Sequence, residues 1–142
     1  MWDKIAKAIS VVLGALAGLL GGWNVLLTVL AWFMCIDYLT GLICAWRGKS
    51  PKSEGGGVSS KVGFDGLARK GIIILMVLMA TLLDRAIGTD NAIFQTATAG
   101  YYIANEGISI LENSAIMGVP YPKIILNALE TLQKKGDGEA PE

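Results

Sequence analysis

The apolar run from Val25 to Ala45 constrains this chain more than any other feature. It holds one charged residue, Asp37, and it is flanked by Trp23 and Trp46. A helix rises about 1.5 Å per residue, so about 20 mostly apolar residues cross a bilayer core that is about 30 Å thick. Tryptophan is enriched at both membrane interfaces. The run therefore predicts a transmembrane helix over residues 24–46.

The composition argues against a soluble enzyme. Apolar residues make up 53% of the chain and charged residues 17%, whereas a soluble domain has about 25% charged residues. The 12 basic and 12 acidic residues cancel, so no net charge favours nucleic acid, and histidine, the commonest general base and metal ligand, is absent. Cys35 and Cys44 lie inside the first apolar run, where neither a disulfide framework nor a zinc site is expected. We expect no cofactor and no metal.

Two further runs predict a helical hairpin in the membrane. Residues 67–87 are long enough to cross the membrane. At one end of this run, the Arg69 guanidinium and the Lys70 ammonium group are placed to extend towards the interface. Residues 88–91 form a predicted tight turn, and residues 92–118 form a third, less apolar span.

The first 20 residues leave the number of crossings open. Residues 5–20 form a short apolar helix that could span, lie at the interface or re-enter the membrane. Residues 122–135 predict a short amphipathic helix that lies on the cytoplasmic surface or packs against a partner helix. The fold class is all-α: a polytopic membrane protein with three or four transmembrane helices, the amphipathic helix following them, and a single domain over residues 1–142.

The basic residues predict the orientation. The loop at residues 47–66 and the start of the next span carry six of the 12 basic residues, while the only charged residue in the turn at 88–91 is Asp90. Because cytoplasmic loops carry an excess of Lys and Arg, we expect the 47–66 loop and the C-terminus on the cytoplasmic side.

Three charged residues lie inside the predicted spans. An ionised carboxylate near a helix centre costs about 2.5–3.5 kcal/mol on insertion scales, so Asp37 is expected to face protein or water. Asp84 and Arg85 lie near the outer end of their span, where they either pair with another helix or anchor the interface. A pair between Asp37 and Arg85 is one option.

Glycines recur every fourth residue near the N-terminus, at Gly14, Gly18 and Gly22. Glycines with this spacing share a helix face and allow a second backbone to approach closely. The alternative is that small residues are simply common in membrane helices.

A polar stripe runs along the third span. At 100° per residue its members fall within an arc of about 120°. They are Tyr102, Asn105, Glu106, Ser109, Glu112 and Asn113. The stripe either lines a watery lumen in an assembly of several copies or lies at the interface. Glu106 and Glu112 project about 120° apart, which does not suit an acid–base pair, and nucleotide-binding and hydrolase motifs are absent.

Several of these segments resemble the toxin-secretion/phage-lysis holin family. The resembling segments are residues 37–41, 59–60, 66–70, 102–113 and 118–120. The resemblance covers roughly residues 22 to 133, and the string Asn105-Glu106-x-x-Ser109-x-x-Glu112-Asn113 is its most specific part. It implies a phage or prophage protein of the bacterial cytoplasmic membrane that is not an enzyme and needs no cofactor.

The resemblance also implies partners. Such proteins form homo-oligomers in the bilayer and open holes through which an endolysin reaches the cell wall or a toxin leaves the cell. Two alternatives remain from the residues alone: a narrow channel or transporter subunit, and an antiholin-type inhibitor that makes no hole.

Overall fold

The computed structural model describes residues 1–139, and within them the chain is all-helical, as predicted. The helices are α1 (Trp2–Leu19), α2 (Val25–Trp46), α3 (Ser60–Ile87), α4 (Ile93–Ile116) and α5 (Lys123–Gly136). A single 3₁₀ turn, Glu54–Gly56, lies in the loop between α2 and α3.

Helix α4 is the centre of the bundle and packs against α2, α3 and α5. Its contact surface is built from small residues, Ala99, Gly100, Ala104 and Gly107, all of which are buried. Small side chains let neighbouring helices approach closely. The apolar core that forms around them includes Leu27, Leu30, Met34, Ile73, Val77 and Ile103.

Helix α3 begins earlier than predicted. The sequence predicts that residues 60–66 belong to the basic loop, but they form the first turns of the helix. Ser59 caps these turns by accepting a hydrogen bond from the Val62 backbone N–H at 3.5 Å. Gly63 and Gly66 disfavour a helix by themselves. Both lie against Tyr38 of α2, close enough that a Cβ on either would be 3.5–3.6 Å from the tyrosine. This tertiary contact supports the early turns.

Two helices within residues 1–139, α2 and α3, are long and apolar enough to cross a membrane. This is fewer than the three or four predicted. Helix α4 is not apolar enough to count as a span, because its polar stripe lowers its mean hydropathy. Helix α1 is excluded because its first turns contain three charged residues, Asp3, Lys4 and Lys7. Most of the α2 and α3 surface is exposed and apolar, with Trp32 and Leu75 each 63% exposed. Such a surface indicates a membrane protein.

Helix α1 is only loosely joined to the bundle. None of its residues from Trp2 to Leu19 is buried. A Cβ added at Gly14 or Gly18 would meet no other part of residues 1–139 within 4 Å. Gly22 lies beyond the end of the helix with a φ of 100°, so the predicted three-glycine face is wrong at its third member. The pair of glycine residues at 21–22 turns the chain there because both need positive φ.

Helix α5 folds back along α4. Leu129 lies against Gly107 and Leu132 against Gly100, where added Cβ atoms would be 2.8 Å and 3.2 Å from the leucine side chains. Gly136 approaches α4 more closely than either leucine does, since an added Cβ there would be 2.6 Å from the Tyr101 Cβ. The amphipathic helix therefore packs against a helix of its own chain.

Candidate functional site

Three charged side chains from three helices meet inside the bundle. Lys70 of α3 donates to Asp37 Oδ2 of α2 at 2.7 Å, and it also donates to Glu106 Oε2 of α4. The residues Asp37 and Glu106 are 8% and 3% exposed. We call Asp37, Lys70 and Glu106 the charge triad.

Asn113 extends the triad towards the loop between α2 and α3. Its Nδ2 donates to Thr40 Oγ1 at 2.9 Å and lies 3.4 Å from Asp37 Oδ1. Gly41 of α2 lies beside it, and an added Cβ there would be 3.7 Å from Asn113 Nδ2, an ordinary contact distance. The buried amide thus finds acceptors on α2, as buried polar groups generally do.

A cavity of about 240 Å³, lined by both polar and apolar side chains, connects the triad with the loop that joins α2 to α3. The loop side contributes Ser50, Lys52 and Ser59, and the first turns of α3 contribute Asp65 and Arg69. The triad faces this cavity and carries two carboxylates against one ammonium. Charges in a membrane protein face the bundle interior or a water-filled space because lipid does not solvate them.

The opposite end of the bundle has its own polar network, centred on Asp84. Its carboxylate accepts hydrogen bonds from the backbone N–H groups of Phe94 at 3.0 Å and Gln95 at 2.8 Å, and from the Thr89 hydroxyl. The first N–H groups of a helix have no partner within the helix. Asp84 of α3 therefore caps the start of α4.

Gln95 and Arg85 tie the remaining helices to this end. Gln95 Nε2 donates to the Leu20 carbonyl and to Thr81 Oγ1, each at 2.7 Å, and its Oε1 accepts from Asn24 at 3.3 Å. Arg85 donates to the carbonyl of Gly18 in the last turn of α1 at 3.0 Å. Both side chains bond to carbonyls at the carboxyl end of α1.

The predicted polar stripe is divided by the fold. Glu106 and Asn113 point inward and are buried, Tyr102 and Ser109 are half-buried, and Asn105 and Glu112 are exposed. The four inward or half-buried members follow the α4 face that packs against its neighbours. Two members remain free for contacts outside the subunit.

Two charge assignments made from the sequence are wrong. The suggested pair of Asp37 with Arg85 does not form, since Asp37 binds Lys70 and Arg85 binds α1. Lys70 does not extend to an interface but turns inward. The early start of α3 explains this, because it places Lys70 in the third turn of the helix rather than at its end. Gln95 carried no signal in the sequence that distinguished it from other polar residues.

Within residues 1–139 no cluster of His, Cys, Asp or Glu has the arrangement needed to hold a metal ion. The geometry of the triad is that of a structural ion cluster. Opposite charges on three helices set the rotation of each helix about its axis, which a purely apolar contact leaves less defined.

Comparisons with known proteins agree on one family. A model of the bacteriophage holin family matches residues 14–134. A protein of Clostridium perfringens, described as an uncharacterized 14.9 kDa protein, is 40% identical over 115 residues, covering 81% of this chain and 82% of that protein. An uncharacterized protein of Listeria monocytogenes is 37% identical over 128 residues, covering 89% and 86%.

A relative from a phage has a functional description. A "probable holin" of Bacillus phage phi105 is 35% identical over 102 residues, covering 72% of this chain and 70% of the phage protein. No solved structure matches the chain.

Proposed function

The chain belongs to the bacteriophage holin family, and we propose that it oligomerises in the bacterial cytoplasmic membrane and opens holes that release an endolysin or a toxin. The observation that carries this proposal is the charge triad, buried between α2, α3 and α4. It allows a subunit with three charges inside the bundle to fold in lipid, because both carboxylates bind the same ammonium group.

The proposed topology extends the two apolar helices to three crossings. Helix α4 packs along both α2 and α3 and is of similar length, 24 residues against 22 for α2. We place the 47–59 loop in the cytoplasm because of its basic residues. Helix α1, bound to the bundle near Leu20, either lies at the interface or adds a fourth crossing.

Assembly is proposed to use the surfaces that the subunit leaves open. Asn105 and Glu112 are the exposed members of the polar stripe, and Gly14 and Gly18 are the open glycines of α1. Polar groups that face lipid are costly. Contacts between copies relieve that cost at many sites together, so holes are expected to form abruptly above a threshold density.

The direct test is induced expression in a bacterium together with a cytoplasmic endolysin that lacks an export signal. We expect abrupt lysis that requires both proteins, measured by turbidity and by release of a cytoplasmic enzyme. Loss of membrane potential without lysis would indicate a narrow channel instead. Continued growth, with the protein present in the membrane, would indicate an inhibitor.

Replacing Glu112 with leucine is expected to delay or abolish lysis while leaving the subunit fold intact. Glu112 is exposed, and exposed substitutions change stability by about 0.5 kcal/mol or less. The measurement is the time of lysis at equal membrane levels. Glu54→Leu, an exposed carboxylate in the loop between α2 and α3, is the matched control. Parental timing in Glu112→Leu would contradict a role for Glu112 in assembly.

A further inference from the structure

Helix α5 lies beside the middle of the bundle rather than at its end. Leu129 contacts α4 at Gly107, and Phe33, near the middle of α2, contacts the same glycine: a Cβ there would be 2.8 Å from the leucine and 3.1 Å from the phenylalanine. Because α2 is long and apolar enough to cross the membrane, this part of α5 lies at the depth of the hydrocarbon core.

The two faces of α5 differ in polarity. The face towards α4 carries Leu129, Leu132 and Gly136. The outward face carries a row of polar residues at intervals of four, three and four, which lie on one side of a helix. These residues, all exposed, are Lys123, Asn127, Glu130 and Lys134. We call them the α5 row.

Lipid is a poor environment for the α5 row. A charged side chain at the centre of a bilayer costs about 2.5–3.5 kcal/mol on insertion scales. Moving α5 to the membrane surface would remove this penalty, but it would also separate Gly136 from Tyr101 and Leu132 from Gly100, where the two helices approach through glycine. The close fit argues that α5 stays against α4.

We infer that the α5 row faces the water-filled interior of the hole. This inference rests on the proposed function and identifies which surface lines the lumen. Glu106 and Asn113, which the sequence offered for that role, are occupied inside the subunit by Lys70 and Thr40. Within residues 1–139 the side chains of the α5 row form no ion pair with another helix, and they make a continuous polar face at membrane depth. The packing also brings Gly136 of α5 next to Ala97 and Tyr101 in the first turns of α4.

The first test measures where α5 lies. In full-length protein carrying Cys35→Ser and Cys44→Ala, we introduce Gly100→Cys with Leu132→Cys and oxidise isolated membranes. An intramolecular disulfide is expected, because Leu132 Cγ, the position nearest to that of a cysteine sulfur, lies 3.8 Å from a Cβ at Gly100. Gly100→Cys with Asn127→Cys, on the outward face, is the matched control and is expected to stay reduced. No disulfide in the first pair would overturn the inference.

The second test asks what the α5 row faces. Glu130→Leu with Lys134→Leu is expected to abolish lysis in the presence of the endolysin, while the disulfide between positions 100 and 132 still forms. Glu130→Gln with Lys134→Gln keeps the row polar and is expected to lyse at the parental time. Lysis by the leucine variant at the parental time would overturn the inference.

The outcomes separate the inference from the proposed function. If the parental chain with endolysin does not lyse cells, the proposed function fails. If the parental chain lyses cells but the leucine variant does so too, only the lumen role of α5 fails. Disulfides between copies through Asn127→Cys alone would show that the row faces another subunit, which also overturns its exposure to the lumen.

Discussion

Replacing Lys70 with methionine is expected to lower the free energy of unfolding of the bundle by about 3–5 kcal/mol, the usual effect of removing one partner from a buried ion pair. Lys70 is the only cation bound to Asp37 and Glu106 in the part of the chain that the structure describes. Its loss leaves two carboxylates facing each other without compensation. The measurement is unfolding in detergent micelles, together with the amount of protein in the membrane.

Two controls separate charge from packing. Arg69→Met removes the neighbouring basic residue, which is exposed, and is expected to have little effect. Combining Lys70→Met with Asp37→Asn and Glu106→Gln is expected to restore most of the lost stability, since no buried charge then lacks a partner. Equal stability of Lys70→Met and Arg69→Met would contradict the role assigned to the triad.

Replacing Asp84 with leucine is expected to cost about 1.5–3 kcal/mol, the range for hydrogen bonds to a charged group. The substitution leaves the backbone N–H groups of Phe94 and Gln95 without their acceptor at the start of α4. The same unfolding measurement applies, and amide hydrogen exchange is expected to accelerate at these two residues.

Asp90 provides the matched control for this cap. It lies in the turn between α3 and α4 and is exposed, so Asp90→Leu is expected to change stability by about 0.5 kcal/mol or less. Asp84→Asn keeps an oxygen acceptor and is expected to fall between the two. If Asp84→Leu unfolds like Asp90→Leu, then Asp84 does not cap α4.

Much of the fold follows from local patterns. The length of the apolar run predicted the helix at Val25–Trp46 despite Asp37 within it, because crossing a bilayer depends on a sum of side-chain hydropathies along one segment. The family resemblance, which depends on short strings such as the one from Asn105 to Asn113, is confirmed by the match over residues 14–134. Helix starts were less predictable, as α3 shows: Tyr38 on another helix supports its first turns.

The candidate site was only partly predictable. The sequence identified Asp37 as a charge that must face protein or water and placed Glu106 in a polar stripe, but it did not identify Lys70 as the residue that binds both. A pattern along one helix determines which residues share a face, and says nothing about how far a neighbouring helix is rotated or shifted. The partner of a buried charge depends on those two quantities.

The sequence by itself determined that this is a helical membrane protein of the holin family, since chain length, hydropathy and short motifs are properties of contiguous residues. Only the tertiary structure decided that Lys70 joins two carboxylates, that Asp84 caps α4 and that α5 returns along the bundle. Each of these depends on contacts between residues far apart in the chain. The return of α5 along the bundle is possible because the small residues of α4, above all Gly100 and Gly107, let α5 approach the α4 backbone.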